Sequence, residues 1–470
     1  MNRILVVLVI SLFPFFSTAQ DTLSLARAIQ IGLQNNFDVR IENLNVEIAR
    51  NNNNWGQAGL LPAINLTGGQ PNSVVQRKPA NPFAVAGRNI SDNINGQLDV
   101  AFVLFDGFSI RLTKARLEKL EELSGGNARF VMENTIQAII LGYYQVLLQQ
   151  EQLKVLIKNK EFSKERYDYI KLRKELGGAI TFDVLQEQNN YLTDSASVLQ
   201  QEIFLKNSIR NLNLLMSENI NKTYQLSDPI PFDSENYRYE DLRDKMMSSN
   251  TNLKNQYLSQ ELFRNATRLA EANYSPTLTL NVGATGSLDR LNANFRAPTG
   301  NVIQTTVGYV NGDLNFPVYN DVNETALTRL TQSGNSYGAY ANFGLRFTIF
   351  NGGQIRRAVE NSRIQETIAQ LSTDQLKLSL ENDLLASYDL YNLRQQLVQI
   401  AQVRLQAAEL NLTLADERYK NGALSAIDLR IVQDNYQQAA LETYLAIFAR
   451  ISSQVDLIRL TGGLVDNAQP

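Results

Sequence analysis

The chain has 470 residues, with 44 Lys+Arg against 47 Asp+Glu, and neither His nor Cys. A charge balance this close to neutral argues against a nucleic-acid partner or a polybasic membrane contact. Without His and Cys, Ser-His-Asp and Cys-His catalysis, most zinc sites, disulfides and a cysteine-linked N-terminal lipid are excluded. No metal and no cofactor is expected, and carboxylate-dependent chemistry alone stays open.

The N-terminus reads MNRILVVLVISLFPFFSTAQ. Arg3, an apolar run from Ile4 to Phe16 and the small residues Ser17, Thr18 and Ala19 make the three-part pattern of a secretory signal peptide, expected at residues 1–19. The apolar run is too short to span a bilayer comfortably, and no later segment holds eighteen uncharged apolar residues. A first helix is expected from about Leu25 to Leu61, stopped by Pro62. Trp55 is expected to pack within it. Strands with period-two alternation follow at ~63–75 and ~93–105, separated by a polar loop near Gln76–Asp92. In the second strand Leu98, Val100 and Phe102 face one way, and Gln97 and Asp99 the other. Phe105-Asp106-Gly107 is a strand-to-helix turn with Asp106 as N-cap. A very long helix runs over ~107–176 and another over ~181–216. The break between them, LRKELGGAITFDVL, holds Gly177, Gly178, Thr181 and Asp183. A less regular segment, ~217–239, ends this first half.

The second half, 240–470, repeats the order. Its first helix is expected from about Glu240 to Tyr274, and its strands at ~277–288, after Pro276, and at ~337–350. A long polar loop near Asp289–Asn335 separates those strands. The turn is Phe350-Asn351-Gly352, with Asn351 as N-cap, and the helices run over ~352–421 and ~425–460 before a C-terminal tail. LLPAINLTG matches YSPTLTLNVG with Pro62 and Pro276 214 positions apart, and Asn36 pairs with Asn250 at the same offset. LFDGFSIR matches IFNGGQIR 245 positions on, as Asp183 matches Asp428 and Leu215 matches Leu460. Both long arms, Asp106 to Asp183 and Asn351 to Asp428, measure 77 positions. The chain therefore reads as two internal repeats. Roughly seventy helical residues extend ~105 Å, and their polar content excludes a membrane span.

Four amphipathic strands with polar loops fit the transmembrane β-barrel pattern, yet four strands cannot close a barrel and lipid does not tolerate open edges. Three copies supply twelve strands, enough for a pore, with polar faces toward water and apolar faces toward lipid.

The signal peptide, duplicated halves, Pro-started strands, Phe-Asp/Asn-Gly turns and the Tyr419-x-x-Gly422-x-x-Ser425-x-x-Asp428 tip resemble the TolC-type outer-membrane efflux proteins over about Leu23 to Gly463. That resemblance implies a homotrimer, mainly α, with a twelve-stranded membrane β-barrel continued by a long periplasmic twelve-helix α-barrel. It implies an equatorial region from ~217–239 and the residues after Leu460, and extracellular loops between the strands. It also implies a passive, non-enzymatic exit duct of a tripartite efflux or type I secretion system. The implied setting is outer-membrane lipid, and the implied partners are a periplasmic adaptor protein and an inner-membrane RND or ABC transporter.

On the same resemblance, the hairpin tips form the periplasmic entrance, and Tyr419, Asp428 and Asp183 are its gate or pore residues, with helix capping or inter-helix contact the alternative for Asp183 on the outer hairpin. Gly177, Gly178, Thr181, Gly422 and Ser425 would turn the chain and meet the adaptor. Leu424 and Ile431 stand where relatives carry a basic residue and a second acid. Three copies of Asp428 would make a cation-favouring ring. Ser425-x-x-Asp428 is equally a capping-box pattern, and the two roles are compatible. Arg346, on a polar strand face, either lines the pore or sits at the barrel rim. The rival reading is a periplasmic coiled-coil adaptor or scaffold without a pore. A glycosidase-like enzyme would need two carboxylates in a cleft, and no paired motif provides them.

Overall fold

The structure is a computed structural model that describes residues 22–78, 80–81, 85–231 and 235–465. The expected signal peptide and the end of the tail lie outside these residues. The chain divides into two compact units, one of Met1–Asn52, Glu118–Arg264 and Ile364–Pro470, the other of Asn53–Leu117 and Asn265–Arg363.

The first unit holds all or most of every α-helix: α1 (Leu25–Asn35), α2 (Phe37–Asn52), α3 (Ser109–Glu175), α4 (Thr181–Leu215), α5 (Tyr239–Ser249), α6 (Thr251–Ala272), α7 (Gln354–Lys420) and α8 (Ala426–Leu460). Helices α3 and α7 each have 67 residues, and α4 and α8 each have 35. At 1.5 Å per residue the longer pair extends ~100 Å. A short parallel pair, β1 (Thr22–Leu23) with β5 (Gln225–Leu226), ties the first described residues to the segment after α4.

Two apolar cores organise this unit. One gathers Ala28, Ile136, Ile139, Tyr143, Leu212 and Ile451. The other gathers Met246, Leu253, Leu384, Tyr391 and Leu457. Ile139 and Leu384 occupy equivalent places 245 positions apart, as do Leu212 and Leu457, and all four are at most 2% exposed. Each core is joined by an asparagine. Asn36 Nδ2 donates to the carbonyl of Leu215 at 3.0 Å, and its Oδ1 accepts from Val39 N. Asn250 Nδ2 donates to the carbonyl of Leu460 at 2.9 Å, and its Oδ1 accepts from Leu253 N.

Those asparagines correct the sequence reading. The helices expected over Leu25–Leu61 and Glu240–Tyr274 are each broken in two, at Asn36 and Asn250. The first also stops at Asn52, well before Pro62. The run Asn51–Asn54 competes for backbone bonds, Asn54 Oδ1 accepts from Gln57 N, and Gly59 turns at φ +95°. Trp55 thus lies beyond the helix, 45% exposed, with the Lys114 ammonium over its ring.

The second unit is built on an antiparallel sheet of β2 (Ala63–Gly69), β3 (Asn72–Arg77), β4 (Gly87–Phe105), β6 (Thr277–Tyr309) and β7 (Pro317–Arg346), in the order β2-β4-β6-β7 with β3 also on β4. The strand expected at ~63–75 is interrupted at Gln70-Pro71, where proline offers no N–H to the ladder. The strand expected from ~93 begins at Gly87. The strand expected at ~277–288 runs on to Tyr309, and the one expected at ~337–350 spans Pro317–Arg346. The supposed loop is a paired ribbon, from Asp289↔Gly334 to Tyr309↔Pro317, that turns through Asn311 and Gly312 at positive φ. Alternation of Leu291, Ala293 and Phe295 with Asn292, Asn294 and Arg296 continues there, under a polar composition that hides it. Residues 347–350 drop out of the strand because their would-be partner begins only at Thr277, after Pro276.

Asn250→Ala removes a cap and a buried bond to the carbonyl of Leu460 at a residue 6% exposed, and should cost about 2–3 kcal/mol. Asn36→Ala, at a half-buried site, should cost less. Thermal melting in detergent gives the order, and equal or absent shifts would contradict it.

Candidate functional site

The sheet is two-faced. Cross-strand register places Ile64, Leu66, Leu98, Val100, Leu280, Phe343 and Leu345 on one side. Many stay exposed: Leu66 is 80% exposed, and Phe343 and Leu345 each 72%. The opposite side carries one row of Asn65, Asp99, Gly283 and Tyr340. The Tyr340 hydroxyl reaches across Gly283 to donate to Asp99 Oδ1 at 2.6 Å, and accepts from Gln97 Nε2 at 3.0 Å. A Cβ at Gly283 would sit 2.5 Å from that hydroxyl. Glycine is therefore what lets the phenol cross the strand. Arg346 is exposed on this polar side, opposite Thr277.

Pro62 and Pro276 immediately precede β2 and β6. After β4, Phe105 packs edge-on against Phe108, and Gly107 turns at φ +69°. A Cβ on Gly107 would lie 2.6 Å from the carbonyl of Ala272. Asp106 Oδ2 accepts from Ile110 N at 3.0 Å. After β7, Phe350 is 85% exposed, Gly352 turns at φ +67°, and Asn351 Oδ1 accepts from Gln354 N at 3.1 Å.

At the hairpin tips, α3 and α7 end alike. Gly177 lies at φ +77° and Gly422 at φ +74°, and the next residues, Gly178 and Ala423, donate back to the carbonyls of Arg173 and Arg418. This left-handed closure satisfies carbonyls the helix leaves open. Asp183 accepts from Ile180 N at 3.2 Å, and Thr181 starts α4 in an exposed position. Ser425 Oγ accepts from Asp428 N at 3.1 Å and donates to Asp428 Oδ2 at 2.7 Å. Both acids thus serve helix starts. Asp428 is exposed. Tyr419 turns the other way, its ring edge-on to Tyr169 at 6.1 Å, and burial pushes its phenol pKa up. Leu424 is half-buried and Ile431 is 54% exposed.

Sequence reasoning missed the charged layer behind these tips. Arg166 pairs with Glu187 at 3.1 Å, with both side chains 4% exposed. Arg430, two residues past Asp428, grips Asp194 with both terminal nitrogens, at 2.6 and 2.9 Å, and Asp434 with Nε at 3.0 Å. Ser163 donates to the same Asp194. This layer fastens α8 to α3 and α4. A signal existed. Glu187, Asp194 and Gln201 recur every seven residues on the buried stripe of α4, and Asn159, Ser163 and Arg166 interrupt that of α3. Arg430→Met leaves buried Asp194 without a counter-ion, with Ser163 as its remaining donor, so the tips should lose about 3–5 kcal/mol of local stability. Adding Asp194→Leu should restore most of it. Hydrogen exchange of tip amides measures both, and unchanged protection in Arg430→Met would contradict the tie.

No family model matches the chain. It is 26% identical over 215 residues to a probable efflux pump outer membrane protein, TtgC of Pseudomonas putida, which covers 45% of this chain and 43% of that protein. The match therefore spans less than half the length of that curated relative. In three dimensions it is similar to the CmeC outer membrane channel of Campylobacter jejuni, at a TM-score of 0.68 and 16% identity over 93% of this chain and 85% of that one. It is also similar to the outer membrane protein VceC of Vibrio cholerae, at a TM-score of 0.68 and 13% identity over 93% and 96%. The chain has the fold of the TolC-type outer-membrane channels.

Proposed function

We propose that the protein is the outer-membrane channel component of a tripartite efflux or type I secretion system, a passive duct that performs no chemistry. The observation that carries this is the sheet in the second unit. It has one exposed apolar face, one hydrogen-bonded polar face, and two outer edges, one of β2 and β3 and one of β7, with no partner among the described residues. A globular protein covers such a face, whereas lipid covers it in a barrel.

On this reading β2 and β3 together make one barrel position, so each copy supplies four, and three copies join β7 to that β2–β3 edge and close a twelve-stranded barrel in the outer membrane. The helical hairpins of three copies form a twelve-helix tube in the periplasm. The equal helix lengths and the matched contacts of Asn36 and Asn250 support two structural repeats per chain. The tip glycines 177, 178 and 422, with Thr181 and Ser425, face an adaptor protein, and an RND or ABC transporter in the inner membrane supplies the energy. Asp428 is both a cap and, in triplicate, a negative ring at the entrance, and Asp183 caps the outer hairpin.

Purified trimers in planar bilayers should conduct with a cation preference. Asp428→Asn keeps an acceptor for Ser425, so trimers should still form, while the cation preference should fall roughly twofold or more. Unchanged selectivity would leave Asp428 as a cap alone. Trimers that insert yet never conduct, even with tip residues altered, would sink the duct.

A further inference from the structure

Behind the tips of the helical unit, α3, α7 and α8 enclose a groove of about 230 Å³. Three of its lining side chains carry buried polar atoms without a partner among the described residues. Arg166 is 4% exposed, and its Nε is taken by Glu187 while Nη1 and Nη2 bond to nothing among the described residues. Gln433 is 3% exposed with Oε1 unpartnered, and the Tyr419 hydroxyl is unpartnered as well. Buried polar atoms are nearly always bonded, so several orphans on side chains that line one space point to a ligand.

The atoms define its chemistry. The terminal nitrogens of a guanidinium form a fork that matches the two oxygens of a carboxylate. The Tyr419 phenol, whose pKa burial raises further, gives a third donor. Gln433 Oε1 can only accept, so the ligand needs an N–H or O–H near its acid. Phe162, Tyr169 and Leu429 supply apolar wall for a short stem. Lys420 is engaged by Asp416 at 2.6 Å, and exposed Glu165 also lines the groove. A second negative charge would meet that carboxylate, which disfavours dianions and phosphates. The volume is below that of drug-sized pockets, which start at about 300 Å³.

We propose that this groove binds one carboxylate, held by Arg166 and Tyr419, with a neighbouring N–H or O–H that meets Gln433. The site stands on the helical unit alone and does not depend on whether the chain conducts. The carboxylate has two possible sources, a glutamate side chain of a partner protein or a free hydroxy acid.

The test titrates the full-length protein in detergent, by calorimetry and saturation-transfer NMR, with three probes. N-acetylglutamate α-amide represents the protein source, 3-hydroxybutyrate the free acid, and N-acetylglutamine α-amide is the uncharged control. The expected result is binding of at least one acid, with the control weaker by about tenfold or more. Whichever acid binds tighter names the source. Tyr419→Phe should weaken binding roughly threefold or more. Arg166→Gln should abolish it. Because that change strands buried Glu187, the Arg166→Gln/Glu187→Gln double variant repeats the test in a neutral site. The proposal is overturned if neither acid binds the wild-type protein, if acid and amide bind alike, or if Tyr419→Phe and the double variant bind as wild type.

Discussion

The outer edges of β2 and β3 on one side and of β7 on the other present rows of backbone N–H and C=O groups that the described residues of one chain leave without ladder partners. Water can satisfy such groups at a soluble edge, but then the apolar face of Leu66, Phe343 and Leu345 stays in water too. Lipid favours that face and cannot serve the edges. Both demands are met together only when other strands take the edges while lipid takes the face. The polar side repeats the logic on a smaller scale. Tyr340, Asp99 and Gln97 bond to one another across a glycine, so the sheet can turn this side to water or to other strands without a stranded polar group. On the proposed reading the strand edges are where copies join, and the proposed trimer is the closure that answers both demands.

The helical unit solves a different problem, how to hold very long helices in place. Its two apolar cores sit where short helix α1, and short helices α5 and α6, meet the long ones. Each meeting is fixed by an asparagine that caps one helix and bonds the carbonyl ending another. Near the tips the apolar stripe gives way to ions. Arg430 with Asp194, and Arg166 with Glu187, fix the hairpins by geometry more than by net energy, because buried pairs nearly cancel their desolvation cost. Such contacts define one arrangement sharply, which suits an element whose position matters. Glycines 177 and 422 and the capped starts at Asp183 and Ser425 then set where each helix ends.

Much of this was legible in the chain. The long helices were expected to within two residues at each end, because a 3.6-residue pattern without proline reads clearly and glycine closes it. The turns at Asp106 and Asn351 were legible from Phe-Asp/Asn-Gly after an alternating strand. The ribbon of β6 and β7 was not. Residues such as Asn294, Arg296, Asn320 and Asn323 look like loop, and only cross-strand pairing over a long register makes them strand. The breaks at Asn36 and Asn250 were visible as matched residues but not as breaks, since asparagine inside a helix-like run is ambiguous until the carbonyls of Leu215 and Leu460 are seen to meet it. The buried ion layer was missed because charged residues on a long polar helix default to solvent. Arg430 and Asp194 lie 236 positions apart, a separation that no local pattern reports.

Because the chain has no cysteine, the edge pairing can be measured without background. Single pairs introduced across the two edges, one cysteine among β2 positions such as Thr67 and one among β7 positions such as Asn342, are oxidised in membranes and the covalent species weighed under denaturing conditions. Closure by three copies predicts, for pairs in register, a covalent trimer as the largest species. Monomers alone at every pair, or ladders that continue past three, would contradict it.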